Sequence, residues 1–255
     1  MKIEKIKKLK NGKYKLELDN DDSIITYDEV ILKNNLLFNP NIDEENISNL
    51  YKDTSYYDIY YKVVKLISKR LRSEKEIIDY LEKNAIENKK EIIDKLKNVN
   101  LINDLNFAKA YTYDRLYLSK DGLNKIKEDL YSYGIKDEFI FEVIDSIPEE
   151  VIKEKLEKLI IKKINSNNNK SNYMLKQKII YDLINLGYEK EDIISYIDNN
   201  LKEDTSIISK EYDKLYKKLS LKYDENKLIY EIKNKLYQKG YSIYEIDKII
   251  EEKTS

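Results

Sequence analysis

The stretch "IKEDLYSYGI", residues 126–135, carries Ile126, Leu130 four positions on, Gly134 after another four, and Ile135 directly behind the glycine. Apolar residues four apart lie on one face of a helix. A glycine just past the last such residue is the usual left-handed stop, because glycine enters that conformation without a Cβ penalty. The same arrangement returns in "IIDYLEKNAI" (77–86), "IIYDLINLGY" (179–188) and "IKNKLYQKGY" (232–241). The stop falls at Ala85, Gly134, Gly187 and Gly240, an interval of about fifty residues, the period of stacked structural repeats.

Behind each stop, apolar residues recur at helical spacing: Ile140 and Ile144, Ile193 and Ile197, Ile246 and Ile250, and one residue late in the first copy at Ile92 and Leu96. A further helix is predicted ahead of each pair, over Tyr56–Ser68, Asp104–Leu118, Pro148–Ile164 and Ser206–Leu219. Pro148 suits a first helical turn. Ser73 with Glu76 and Ser242 with Glu245 read as capping boxes. The fold class expected is therefore mostly α: tandem three-helix repeats over 55–103, 104–147, 148–204 and 205–255, forming an elongated curved array. The run "NSNNNKSN", Asn165–Asn172, reads as a solvated spacer within the third repeat.

Residues 1–54 read differently. Ile3, Ile6 and Leu9, then Tyr14, Leu16 and Leu18, then Ile24 and Ile25 suggest three strands. Asn11-Gly12 marks the first turn and the acidic run Asp19–Asp22 the second. A small N-terminal antiparallel β-extension is expected, then a short helix from Asp28 to about Asn34 and a connector with a short helix of its own.

Composition narrows the chemistry. Among 255 residues there is no cysteine and no histidine, which removes disulfides, thiolate nucleophiles, the commonest general base and the commonest metal ligands. Five glycines leave no phosphate-cradling loop, and no cofactor, metal site or catalysis is expected. The N-terminus lacks the apolar core of a signal peptide and no apolar run reaches membrane-spanning length. A cytoplasmic monomer that does not engage a membrane is expected. The formal net charge of −1 draws the chain towards no polyanion as a whole. Its preference for lysine over arginine is also what an AT-rich genome yields.

Three stretches carry a resemblance: "LISKRLRSEKEIIDYL" (66–81), "NLINDLNFAKAYTYDRL" (100–116) and "KDGLNKIKEDLYSYGI" (120–135). Together they resemble the RecX family of bacterial recombination regulators, and the N-terminal segment resembles the β-extension of its longer Gram-positive members. Leu71 stands where the family commonly has proline, and Ala85 where glycine is expected. The resemblance implies three-helix repeats that bind RecA and lie along the groove of its filament on single-stranded DNA. It also implies modulation of ATPase and strand exchange in recombination and the SOS response, with inhibition the expected direction and DNA contacted only indirectly or weakly.

The chain has only three arginines, Arg70, Arg72 and Arg115, and all lie in residues 55–134, the one stretch with a positive balance. Arginine's planar fork grips a carboxylate or phosphate at two points, which lysine does not reproduce. Lys69, Arg70, Arg72, Arg115, Lys120 and Lys125 are the candidate contacts for RecA or DNA. The competing reading is that the arginines tie helices together through acids such as Glu76 or Asp114. Two other functional classes stay open: a direct single-strand-binding repeat protein and a scaffold for some other protein. Tyr56, Tyr57, Tyr60 and Tyr61 read as a core stripe with wet hydroxyls. The seven lysines among residues 1–15, against Glu4 alone, read as a solvated strand edge.

Overall fold

The computed structural model describes residues 1–167, 169–202 and 205–254, so the centre of the asparagine run (Asn168) and the expected repeat boundary at Asp204 lie outside the described residues. Three strands and thirteen helices are present among the described residues. They group into two compact units, Met1–Phe107 and the chain from Ala108 onward.

In the first unit β1 (Ile3–Lys8), β2 (Tyr14–Leu18) and β3 (Ser23–Thr26) form an antiparallel sheet in sequence order. A bulge between Ile3 and Lys5 explains their odd apolar spacing, since the extra residue returns Ile3 and Ile6 to one face. The two turns follow one plan. Leu9 N–H reaches Lys13 O and Gly12 N–H reaches Leu9 O, with Gly12 at φ +86°. Leu18 N–H reaches Asp22 O and Asp21 N–H reaches Leu18 O, with Asp21 at φ +67°. Aspartate takes the left-handed position in the second turn, one of the few residues besides glycine that tolerates it. Ile24 is buried and Ile25 half exposed; the second inward residue of β3 is Thr26, bonded to Thr54 at 2.6 Å.

After α1 (Asp28–Lys33), α2 runs over Glu44–Ile67, beginning at Glu44 rather than at Tyr56. The expected connector is absorbed because Asp43 caps the helix, its carboxylate accepting from Asn46 N–H at 2.8 Å, and Glu44 and Glu45 favour the positive end of the helix dipole. Leu50 joins the sheet in one apolar cluster, while Tyr60, Val63 and Ile67 join α3 (Glu74–Lys83) and α4 (Lys89–Asn98) in another. Ile77, Leu81, Ile92 and Leu96 are fully buried there. Each such side chain contributes roughly 2 kcal/mol.

α5 (Asp104–Leu118) leads into α6 (Leu123–Ser132), α7 (Asp137–Asp145) and α8 (Glu149–Asn165). Then follow α9 (Asn172–Asn185), α10 (Lys190–Asn200), α11 (Thr205–Leu219), α12 (Glu225–Gln238) and α13 (Ile243–Thr254). Pro148 is the N-cap of α8 rather than its first turn. Within the second unit α8, α9 and α10 share one apolar cluster, and α11, α12 and α13 another.

The four stops close in the same way. Behind α3, α6, α9 and α12 the backbone amides of Ile86, Ile135, Tyr188 and Tyr241 bond back to the carbonyls of Leu81, Leu130, Leu183 and Leu236. The amides of Ala85, Gly134, Gly187 and Gly240 bond to Glu82, Tyr131, Ile184 and Tyr237. All four stop residues have positive φ, Ala85 among them at +53°. This paired bonding satisfies carbonyls that a helix end otherwise leaves open.

Glycine has a further use in the second unit. The N-terminus of α6 abuts the C-terminal turn of α9: Gly122 N–H donates to Leu186 O at 2.6 Å and Asn124 N–H to Gly187 O at 3.1 Å. A Cβ on Gly187 would stand 2.3 Å from Lys125 N, and one on Gly122 would stand 2.5 Å from Gly187 O. The N-terminus of α9 abuts the turn of α12 likewise, Ser171 Oγ donating to Lys239 O at 2.9 Å. A Cβ on Gly240 would fall 2.8 Å from Met174 and 2.9 Å from Ser171 Oγ. Equivalent helices thus meet end to end, backbone amides in the first joint and the Ser171 hydroxyl in the second answering open carbonyls of the next helix.

Opposite substitutions at equivalent stops should therefore shift stability in opposite directions. Gly187→Ala adds left-handed backbone strain and an unyielding backbone clash, and is expected to cost about 2–4 kcal/mol. Ala85→Gly relieves strain at an exposed turn and should gain up to about 1 kcal/mol. Urea titration followed by far-ultraviolet circular dichroism checks both, and equal losses for the two variants would contradict the joint.

Candidate partner-binding surface

The turn between α2 and α3 holds the first three candidate residues. Its geometry is set by Ser73, the buried N-cap of α3, which accepts from Glu76 N–H at 3.2 Å while Glu76 accepts from Ser73 N–H at 3.2 Å. Glu76 is also where both arginines converge. Arg70 grips it with both terminal nitrogens, at 3.1 and 2.5 Å, and Arg72 reaches it at 3.0 Å. Arg70 also donates to Leu71 O at 3.0 Å. Burial by itself would raise the Glu76 carboxyl, but the bonds from Arg70 and the Ser73 amide hold it below the usual carboxylate range. Arg70 is half exposed; among the described residues Lys69, which is exposed, has no ion pair and Arg72 Nε, which is buried, has no hydrogen-bond partner.

The other three candidates lie in the second unit, two of them, Arg115 and Lys125, around Asp129 of α6. Arg115 donates from Nε to Tyr111 OH at 2.9 Å and stands over that ring. It approaches Asp121 at 3.4 Å and Asp129 at 3.7 Å. Lys125 approaches Asp129 at 3.4 Å. The Tyr111 hydroxyl is pushed up to about 12, first by burial and then by donating to Asp129. Arg115 therefore pairs with Asp121 and Asp129, and Asp114 is not its partner. Lys120 is exposed, with no ion pair, and its carbonyl accepts from Tyr188 OH at 3.2 Å.

Three features were not read from the sequence. Glu76 was named as one acid that could hold the arginines, but not as the hub on which both converge. Lys155 of α8, half buried, donates to the carbonyls of Leu116 at 2.7 Å, Asp121 at 2.8 Å and Arg115 at 3.3 Å, closing the end of α5. Burial lowers its ammonium pKa, and no local pattern marks a lysine that caps another helix. Lys95 of α4 lies 4.0 Å from the Tyr57 ring centre and 4.6 Å from that of Tyr60, so this tyrosine stripe holds a cation as well as core.

The lysines of the β-hairpin are partly paired, Lys7 with Glu17 at 2.7 Å and Lys13 with Asp58 at 2.6 Å. Among the described residues no acidic cluster is placed to hold a metal ion, and no helix is long and apolar enough to cross a membrane.

A small sheet followed by helices that close in left-handed stops, with helix ends that meet one another in the second unit, defines a helical repeat protein. The chain is 33% identical over 266 residues to the regulatory protein RecX of Streptococcus agalactiae, covering 99% of both chains. It is 30% identical to that of Listeria monocytogenes, covering 99% of this chain and 97% of the relative. Against that of Oceanobacillus iheyensis it is also 30% identical, over 96% and 94%. A crystal structure of a regulatory protein RecX superposes with a TM-score of 0.68 at 23% identity, over 77% of this chain and 98% of that one. RecX from Lactobacillus salivarius superposes at 0.52 with 28% identity, over 56% and 94%. No family model matches the chain. The chain belongs to the RecX family of regulatory proteins.

Glu76 gives a test of the first cluster. Its carboxyl is held low in the folded state, so its stabilisation is present above the ordinary value near 4.5 and is lost as pH falls through the lower folded value. Glu76→Gln is expected to cost about 1–2 kcal/mol at pH 7 and to flatten the acid limb of a stability–pH profile. An acid limb unchanged by the substitution would show that Glu76 is not held low.

Proposed function

We propose that this protein regulates RecA without catalysis of its own. It binds the RecA filament on single-stranded DNA, lies along the filament groove and inhibits ATP hydrolysis and strand exchange. It acts as a cytoplasmic monomer without a cofactor, touching DNA weakly or through RecA. Its parts are a β-extension with its connector (1–54) and four three-helix repeats (55–103, 104–147, 148–204 and 205–255). The observation that carries this reading is the relationship to RecX regulatory proteins along nearly the whole chain.

Lys69, Arg70 and Arg72 form one contact region and Arg115, Lys120 and Lys125 another. Lys69 and Lys120 are exposed cations without ion pairs, available as they stand. Arg70, Arg115 and Lys125 have carboxylate partners in the chain but keep nearly half of each side chain exposed. Their acid partners are largely covered, so stripping the cation away would leave a carboxylate uncompensated. A carboxylate on RecA therefore joins the exposed half of each cation, while the internal acid keeps it oriented beforehand. Arg72 is the more buried and positions the turn.

RecA ATP hydrolysis on single-stranded DNA, titrated with this protein using RecA from the same source, tests the reading. Loss of hydrolysis at substoichiometric ratios is expected, with the half-maximal concentration raised roughly tenfold in Arg70→Ala/Lys69→Ala, as for about 1.4 kcal/mol of lost binding. An unchanged titration for the variant would remove this turn from the interface. No effect of the folded protein at large excess would overturn RecA regulation. Affinity for bare single-stranded DNA that falls steeply with salt would favour direct DNA binding instead.

A further inference from the structure

The two head-to-tail joints of the second unit share a residue pattern. In each, a small buried N-cap residue, Gly122 or Ser171, faces the carbonyl of the residue before a glycine stop, Leu186 before Gly187 or Lys239 before Gly240. Neither stop has room for a side chain: an added methyl at Gly187 or Gly240 would fall within 2.8 Å of the facing helix.

The pattern fails at two places. At the stop of α3 the residue is Ala85, exposed and held at φ +53° despite its methyl. At the N-terminus of α12 the cap is Asp224, exposed, whose side chain makes no cap hydrogen bond and no ion pair among the described residues. Its carboxylate stands where an approaching helix would present its carbonyl-lined, partially negative C-terminus. Both are otherwise built like the joints: the α3 stop has the same paired backbone bonds as the stops of α9 and α12, and the first amides of α12 lack acceptors within their helix, as do those of α6 that donate to the α9 turn.

We propose that the Ala85 methyl and the Asp224 carboxylate are end stops, which keep the α3 turn of one copy of this chain from docking on the α12 N-terminus of a second copy. The contact they prevent joins two different surfaces, so each copy would still offer a free end and the association would run on beyond a dimer. A chain whose helix ends stack through backbone hydrogen bonds carries this hazard at every helix end left without a partner, and repeat proteins alter such ends to stay soluble. Ala85 meets it by shape and Asp224 by charge.

Sedimentation velocity over a wide concentration range tests the proposal on four full-length proteins: the natural chain, Ala85→Gly, Asp224→Ser, and the double variant. The natural chain and Asp224→Ser should sediment as one species at every concentration. The double variant should show a weight-average mass that rises with concentration past twice the chain mass. Circular dichroism and thermal melting establish that it is folded, as expected for a substitution that relieves strain at 85 and one that leaves a good N-cap at 224. A folded double variant that sediments like the natural chain would overturn the proposal. So would a natural chain that self-associates as strongly as the double variant.

Discussion

The meeting of a helix N-terminus with a glycine-stopped turn is the constraint on which the second unit depends. A helix leaves unsatisfied amides at one end and unsatisfied carbonyls at the other. Stacking α6 on α9 and α9 on α12 lets these groups answer one another, through Gly122 and Asn124 in the first joint and Ser171 in the second. The approach is close enough that side chains must be absent where backbones meet. Glycine is scarce in this chain, yet it stands at both partners of the first joint.

Energy and specificity are divided between different groups. The apolar clusters supply most of the stabilisation, since one buried leucine or isoleucine outweighs an exposed ion pair. The polar contacts set geometry instead. Glu76 orders the turn ahead of α3, Lys155 closes the end of α5, and the Thr26–Thr54 bond pins the sheet to α2. The charged turns are thus free to vary in what they bind without loosening the core.

The sequence made the helices legible because their stops repeat: the Ile–Leu–Gly spacing places α3, α6, α9 and α12, and the positive φ values at all four stops agree with it. Both expected capping boxes are present. The start of α2 was missed because its cap, Asp43, lies in a polar stretch without apolar periodicity. Of the candidate surface, the arginines were visible by rarity, but their convergence on Glu76 and the pairing of Arg115 with Asp121 and Asp129 depend on side-chain direction, which spacing alone does not give. The joints were invisible for the same reason. A glycine reads as a helix stop whether or not another helix rests on it.

Amide hydrogen exchange at Gly122 and Asn124 tests the joint most directly. Amides at the start of a helix ordinarily exchange quickly, because nothing within the helix accepts from them. Here both donate to the turn of α9, so protection comparable to that of amides inside α6 is predicted. Fast exchange at both, with the interior of α6 still protected, would mean that the helices do not stack end to end in solution and would contradict this account of the fold.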